Sequence, residues 1–275
     1  MKTVLSFLFM LIFGVSIQAA PLQVAVSIPT QAEWVRRIAG PYVQVMVLIP
    51  PGSSHELYEP SPKQLKQLSK AKLVFWVGTI PFEKTFSQKL KSLYPTLKPI
   101  NTSEQLLLMM QPGTQTPDPH IWMSPVLAKA QIQRISTALQ QEDPSHKAYY
   151  QTHTQALLKE MDRLSFDCAA QLKGKQGKRF IALHPFLGYF ARDFGLVQVG
   201  IETEEKPLTG KALTDMIREA KKSHIRLVIV DQNAPAPQAT SLSKAISAKV
   251  IKVNSTPADY STALLDLAKT LAKTL

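Results

Sequence analysis

The sequence contains one cysteine, Cys168, among its 275 residues. A lone cysteine can form neither an internal disulfide nor a cysteine-rich zinc site. The eleven glycines include no Gly-x-Ser-x-Gly nucleophile motif and no Gly-x-Gly-x-x-Gly dinucleotide motif. Acidic residues are also scarce, 20 against 32 basic ones. Any metal chemistry must therefore come from the six histidines and the carboxylates.

The formal net charge of +12 is spread along the chain and does not form a stripe. The densest basic run contains Lys173, Lys175, Lys178 and Arg179. A nucleic-acid-binding protein would instead concentrate basic residues on one face, often with aromatic residues between them. We therefore expect a solvated basic surface and no nucleic-acid partner.

The first residues differ from the remainder of the chain. Lys2 precedes an apolar stretch over residues 4–15, and the small residues Ala19 and Ala20 follow. This order is typical of a secretory signal peptide and is short for a membrane-spanning helix, so an uncleaved anchor is the less favoured alternative. No cysteine lies near the cut, which disfavours a lipid anchor. Residues 1–19 are therefore predicted to be a signal peptide, and the mature protein to be periplasmic.

Apolar strands alternate with helical segments in two separate parts of the chain, which predicts an α/β fold with mainly parallel sheets. The first part covers residues 20–140 and the second covers residues 176–275. Between them, residues 141–175 are predicted to contain one long helix that joins the two parts. Asp143 and Pro144 are suited to begin this helix, and Gly174 to follow its end. This division predicts two lobes with little relative movement.

Three histidines lie in loops between apolar segments, where ligands bind in open α/β sheets. These are His55, His120 and His184. We expect them to meet in a cleft between the lobes, although a structural role is the alternative for each taken alone. His146 and His153 are seven residues apart on the long helix, too far to share an ion, and are expected to face solvent.

Several longer segments resemble one known family. These segments are the loop from Pro50 to His55, the run from Tyr58 to Pro62, Asp118 to Trp122, and Leu183 to Leu196. They are similar to segments in the periplasmic solute-binding proteins of zinc and manganese ABC importers, of cluster A-I and the zinc-uptake type. The resemblance implies two Rossmann-like lobes, a long linking helix behind them and a metal cleft between them. It also implies a partner, the membrane permease of an ABC importer.

The resemblance places metal ligands at His120 and His184 directly. The first histidine of the family aligns with Glu56, one position after His55. Because a loop can absorb a shift of one residue, His55 is the expected ligand, and Glu56 is a substitute or a fourth ligand. The family's last ligand is commonly an aspartate, but Asn254 stands at that position and offers only a weak amide oxygen. Asp231 is expected to support the site without binding the metal.

Three imidazoles with one further oxygen or water form a zinc arrangement, so Zn²⁺ is the expected ion. Mn²⁺ and Fe²⁺ are the alternatives, since Glu56 would supply an oxygen. Binding is expected to fail as the pH falls through roughly 6, because imidazole must be neutral to bind a metal. The function implied is that of a monomeric zinc receptor for an importer, and no enzyme activity is expected.

Two functions of other classes stay open from the sequence. One is a zinc-dependent hydrolase, which would use Glu56 or Asp231 as its general base. The other is an exported adhesin that has lost its metal.

Overall fold

The computed structural model describes residues 20–53, 58–111, 114–200, 210–233 and 237–275. The predicted signal peptide, His55 and Glu56 lie outside these residues. Within them the chain forms two four-stranded parallel sheets with helices between the strands, which confirms the predicted fold class. In the described parts of the chain, no helix is both long enough and apolar enough to span a bilayer.

The strands and helices alternate along the chain as the sequence indicated. The strands are β1 Leu22–Val26, β2 Val43–Val47, β3 Leu73–Trp76, β4 Lys98–Asn101, β5 Arg179–Ala182, β6 Val197–Gly200, β7 Leu227–Asp231 and β8 Lys249–Val253. The helices are α1 Pro29–Ala39, α2 Pro62–Leu68, α3 Pro81–Leu93, α4 Pro125–Glu142, α5 Lys147–Gln171, α6 Gly188–Asp193, α7 Gly210–Lys222, α8 Pro237–Ile246 and α9 Tyr260–Thr274.

Both sheets have the same strand order. The first sheet runs β2-β1-β3-β4 and the second runs β6-β5-β7-β8, so β1 and β5 each have neighbours on both sides. Successive strands are added first on one side of β1 or β5 and then on the other. In open α/β sheets, ligands bind beyond the carboxyl ends of the strands at such a point. His184 lies two residues beyond the end of β5, at such a position.

The long helix α5 lies between the two sheets in the order of the chain and packs against α1, α4 and α9. Its 25 residues span about 37 Å at 1.5 Å per residue. Its buried side chains recur every three or four residues, from Tyr150 to Cys168, and form one apolar face. Cys168 is fully buried there, with its Sγ 3.7 Å from the carbonyl oxygen of Leu264 on α9. One hydrophobic core therefore continues from the first lobe through α5 and α9 into the second.

The expectation that His146 and His153 face solvent is wrong, because both rings are half-buried against tyrosines. The His146 ring stacks on Tyr42 with ring centroids 3.7 Å apart, and its Nδ1 lies 2.6 Å from an oxygen of Asp143. The His153 ring stacks on Tyr149 at 3.9 Å. His146 belongs to a short 3₁₀ turn before α5. The flat imidazole faces cover apolar surface here, which their helical spacing alone does not indicate.

Glu83 is a buried carboxylate that joins the carboxyl ends of β1 and β3. The hydroxyl of Ser27 and the backbone N–H of Val77, at 2.8 Å, donate to its Oε1. The N–H of Gly78 donates to Oε2 at 2.6 Å. Gly78 has a φ of +96°, and a Cβ there would lie 1.8 Å from Oδ1 of Asn101, so only glycine fits. Glu83 thus holds the strand ends that face the cleft.

We expect this carboxylate to make the stability of the protein depend on pH. Burial raises the pKa of Glu83 from 4.5 to about 7, against the opposing effect of its hydrogen bonds. The folded state therefore holds this proton more tightly than the unfolded state. The contribution of this group to the free energy of unfolding is fully present below pH 4.5 and is lost as the pH rises through about 7. The total loss is about 3 kcal/mol.

The measurement is the free energy of unfolding in urea at pH values from 4.5 to 8, for the wild type and for Glu83→Gln. Glutamine has no proton to release, so the difference between the two proteins isolates this group from the other titrating residues. Parallel stability curves across the range would contradict the expectation.

Candidate metal centre

His120 is held in place by the residue two positions before it. Asp118 Oδ1 accepts the backbone N–H of His120 at 2.9 Å and lies 2.7 Å from Nδ1 of the same residue. A carboxylate at this distance fixes the proton on Nδ1, which leaves the lone pair on Nε2 to bind a metal. The side chain is 1% exposed. The Pro119 between the two residues restricts the backbone of this turn.

His184 approaches His120 from the other lobe. It follows β5, and Pro185 after it cannot donate to a sheet ladder, so the strand ends there. Its Nε2 atom lies 3.0 Å from Nε2 of His120. Two nitrogens bound to one tetrahedral zinc at about 2.05 Å would lie roughly 3.3 Å apart. The observed separation is close to this value, so the pair fits a zinc ion after a shift of a few tenths of an ångström.

Burial shifts the pKa values of His120 and of the Asp118 carboxylate beside it. It holds the pKa of His120 well below 6.5, and the neighbouring His184 lowers that pKa further while Asp231 opposes the shift. Burial also raises the pKa of Asp118 to about 6. The shift in the pKa of His120 favours the neutral ring, which is the form that can bind a metal.

The side-chain oxygens of Asp231 and Asn254 accept backbone N–H groups in the loops after β7 and β8. Asp231, at the end of β7, accepts the N–H of Ser255 at 3.0 Å and that of Asn233 at 2.8 Å. The side-chain oxygen of Asn254 accepts the N–H of Thr256 at 2.9 Å. The bonds to Ser255 and Thr256 shape the loop after β8, and the bond to Asn233 shapes the loop after β7. The weak ligand role of Asn254 and the supporting role of Asp231 stay predictions.

Within the described residues, no group of three or more His, Cys, Asp or Glu side chains is arranged to hold a metal ion. His120 and His184 supply two converging nitrogens. The other two expected ligands, His55 and Glu56, fall in residues 54–57, which are outside the described part of the chain. Their role in binding stays a prediction.

The loop that carries His120 also contacts the second lobe directly. Trp122 Nε1 donates to the carbonyl oxygen of Ser255 at 2.6 Å. The hydroxyl of Ser124, which caps α4, donates to the carboxylate of Asp193 on α6. These bonds hold the loop across the cleft. No local sequence pattern indicates these bonds, because each joins residues more than 60 positions apart.

Asp118 was also missed as a site residue. Its signal was present, since an aspartate two residues before a histidine can accept the histidine's backbone N–H in a local turn. Its second bond, to the imidazole, depends on the fold around it.

The family model for the periplasmic zinc-uptake complex component A, ZnuA, matches residues 24–275. The chain belongs to the ZnuA family. This confirms the resemblance found in the sequence and makes the protein a metal-binding receptor of an ABC importer. The family is a class of transport receptors and not a class of enzymes.

Relatives and solved structures agree with this assignment. The high-affinity zinc uptake protein ZnuA of Bacillus subtilis is 27% identical, over 81% of this chain and 74% of its own length. The zinc-binding lipoprotein AdcA of Streptococcus pneumoniae is 26% identical, and the match spans about half of its length, 47%. A crystal structure of ZnuA superposes with a TM-score of 0.88 and 31% identity, over 92% of this chain and 99% of that one. A zinc-bound deletion mutant of ZnuA gives 0.87 and 32%, over 92% and 98%.

Proposed function

We propose that this protein binds Zn²⁺ in the cleft between its lobes and delivers it to the membrane permease of an ABC importer. The observation that carries the proposal is the 3.0 Å approach of the Nε2 atoms of His120 and His184. The Asp118 carboxylate supports it, because it fixes the protonation state in which His120 can bind. Zinc is the cargo in this function and passes from this protein to the importer.

The remaining ligands of the proposed site come from the loop after β2. We assign the third position to His55 and keep Glu56 as its substitute or as a fourth ligand. A third imidazole would complete an arrangement that zinc accepts, with water or an oxygen in the last position. Asn254 could contribute only a weak amide oxygen.

The relatives support zinc over the other ions. ZnuA of B. subtilis and AdcA of S. pneumoniae are both named for zinc. Imidazole nitrogens suit Zn²⁺, whereas Mn²⁺ prefers a shell rich in oxygen. The absence of the usual aspartate at Asn254 removes one such oxygen.

The matched relatives also bear on where the protein acts. The family model is described as periplasmic, and AdcA is named a lipoprotein. We propose that residues 1–19 are removed as a signal peptide and that the mature protein works as a monomer in the periplasm. We divide it into a lobe of residues 20–140, a linking segment of residues 141–175 and a lobe of residues 176–275. The two separate sheets and the position of α5 support this division.

The test is a calorimetric titration of the metal-stripped protein with Zn²⁺, followed by competition with Mn²⁺. We expect zinc to bind more tightly than micromolar, and Mn²⁺ to bind at least about 100-fold more weakly because the donors are mainly nitrogens. Zinc binding weaker than micromolar would reject the proposed function. Equal affinity for the two ions would reject zinc as the cargo and favour an oxygen-rich site that includes Glu56.

A further inference from the structure

Tyr189 on α6 reaches from the second lobe to the loop that precedes His120. Its hydroxyl accepts the backbone N–H of Met109 at 3.0 Å and donates to the carbonyl oxygen of Asp118 at 3.1 Å. The side chain is fully buried, and burial raises its pKa to about 12. The hydroxyl therefore keeps its proton and can serve as donor and acceptor at once.

The two groups that Tyr189 bridges form the base of a narrow turn. The N–H of Asp118 donates to the carbonyl oxygen of Met109 at 2.8 Å, and that of Gln111 to Thr116 at 2.9 Å. The first of these bonds joins the N–H of Asp118 to the carbonyl oxygen of Met109. The tyrosine hydroxyl links the two remaining backbone groups, the N–H of Met109 and the carbonyl oxygen of Asp118. Residues 109 and 118 are thus fixed to each other and to α6 through one side chain.

The base of this turn is continuous with the metal centre. Asp118 holds both the backbone N–H and the Nδ1 of His120. Its other oxygen lies so close to α6 that a Cβ at Gly188 would be 2.8 Å from it. His184 is five residues before Tyr189 in the same chain segment. One stretch of the second lobe therefore supplies one imidazole and anchors the backbone of Asp118, whose carboxylate orients the other.

We propose that Tyr189 is a positioning residue for the zinc site, whose hydroxyl holds Asp118 against α6 and so aims the His120 ring at His184. Because Tyr189 acts through the zinc ligands, its role rests on the proposed function. Tyr189 does not touch the ion. Its effect reaches the metal through Asp118, which is the direct partner of a ligand. Loss of such a direct partner typically changes metal affinity by 10- to 100-fold, so we expect the effect of Tyr189 at the lower end of that range.

The test compares Tyr189→Phe with Tyr150→Phe. Both hydroxyls are buried and both bond to the described structure, but that of Tyr150 donates to Asp143, away from the histidine pair. We expect Tyr189→Phe to weaken zinc binding about tenfold and to change the visible absorption spectrum of the Co²⁺-loaded protein. Tyr150→Phe should lower the melting temperature while it leaves zinc affinity and the Co²⁺ spectrum unchanged.

A second variant moves the same aspartate by a different contact and leaves the Tyr189 hydroxyl in place. In Gly188→Ala, the new methyl group must displace the Asp118 carboxylate, so zinc affinity should again fall and the Co²⁺ spectrum should change. If Tyr189→Phe does not fold, this variant serves as the test in its place.

The outcomes separate the two ideas. If wild-type protein binds zinc and Tyr189→Phe, or Gly188→Ala in its place, binds it equally tightly with an unchanged Co²⁺ spectrum, Tyr189 only stabilises the fold and the inference is wrong. An equal loss of zinc affinity in Tyr150→Phe would also overturn it. Failure of the wild type itself to bind zinc would instead reject the proposed function.

Discussion

Replacing His120 and His184 together with alanine should weaken zinc binding by about 1,000-fold or more. The reason is geometric, since the two Nε2 atoms point at one position from opposite lobes and alanine removes both donors. The described structure offers no neighbouring group of three or more ligand side chains that could take their place. A loss of this size corresponds to about 4 kcal/mol of binding free energy.

The measurement is a competition titration of each metal-stripped protein against a zinc chelator of known affinity. The matched control is the double variant His146→Ala and His153→Ala, which removes the same number of imidazoles from the region around α5. Its zinc affinity should equal that of the wild type. Retention of tight zinc binding by the His120 and His184 variant would show that the ion binds elsewhere.

Replacing Glu83 with alanine should lower the free energy of unfolding by roughly 3 to 5 kcal/mol, because buried donors lose their acceptors. The donors are the hydroxyl of Ser27 and the backbone N–H groups of Val77, Gly78 and Ile80. Glu83→Gln keeps one carbonyl oxygen and should cost less. Urea unfolding at pH 7 measures the difference.

The Glu83 variant should also affect the metal centre. Thr79, within the segment that Glu83 holds, donates its hydroxyl to the carbonyl oxygen of Pro119 at 2.9 Å, next to His120. Loss of the carboxylate should loosen this contact and weaken zinc binding. Glu104→Ala is the control, because the Glu104 side chain is 66% exposed and its removal should change stability by less than about 0.5 kcal/mol. Similar stability losses in the two variants would contradict the role given to Glu83.

The fold was predictable because most strands are continuous apolar runs between recognisable helices. Strand β4 was missed, since its sequence Lys98–Asn101 has one strongly apolar residue, Ile100, and contains Pro99. Proline is tolerated there because β4 lies at the edge of its sheet. Pairing with β3 determines this strand, and a local pattern does not reveal it.

The metal centre was predictable to a smaller extent. His120 and His184 could be chosen because each lies in a loop between apolar segments and matches a family motif. The hydroxyl of Tyr189 could not be chosen, because its partners lie 71 and 80 residues away in the sequence. The burial of His146 was missed for a similar reason, since His146 stacks on Tyr42 from a distant segment. His153 instead stacks on Tyr149, one turn earlier on the same helix. Contacts between distant segments depend on the assembled fold.

Because Cys168 is buried, the reactivity of its thiol measures the opening of the molecule. Burial raises its pKa to about 12, so the reactive thiolate is absent at neutral pH. An alkylating reagent can therefore modify the sulfur only after α5 separates from α9. Since it is the one cysteine in the chain, the rate of its modification reports how often the two lobes lose their common core, with no engineered label.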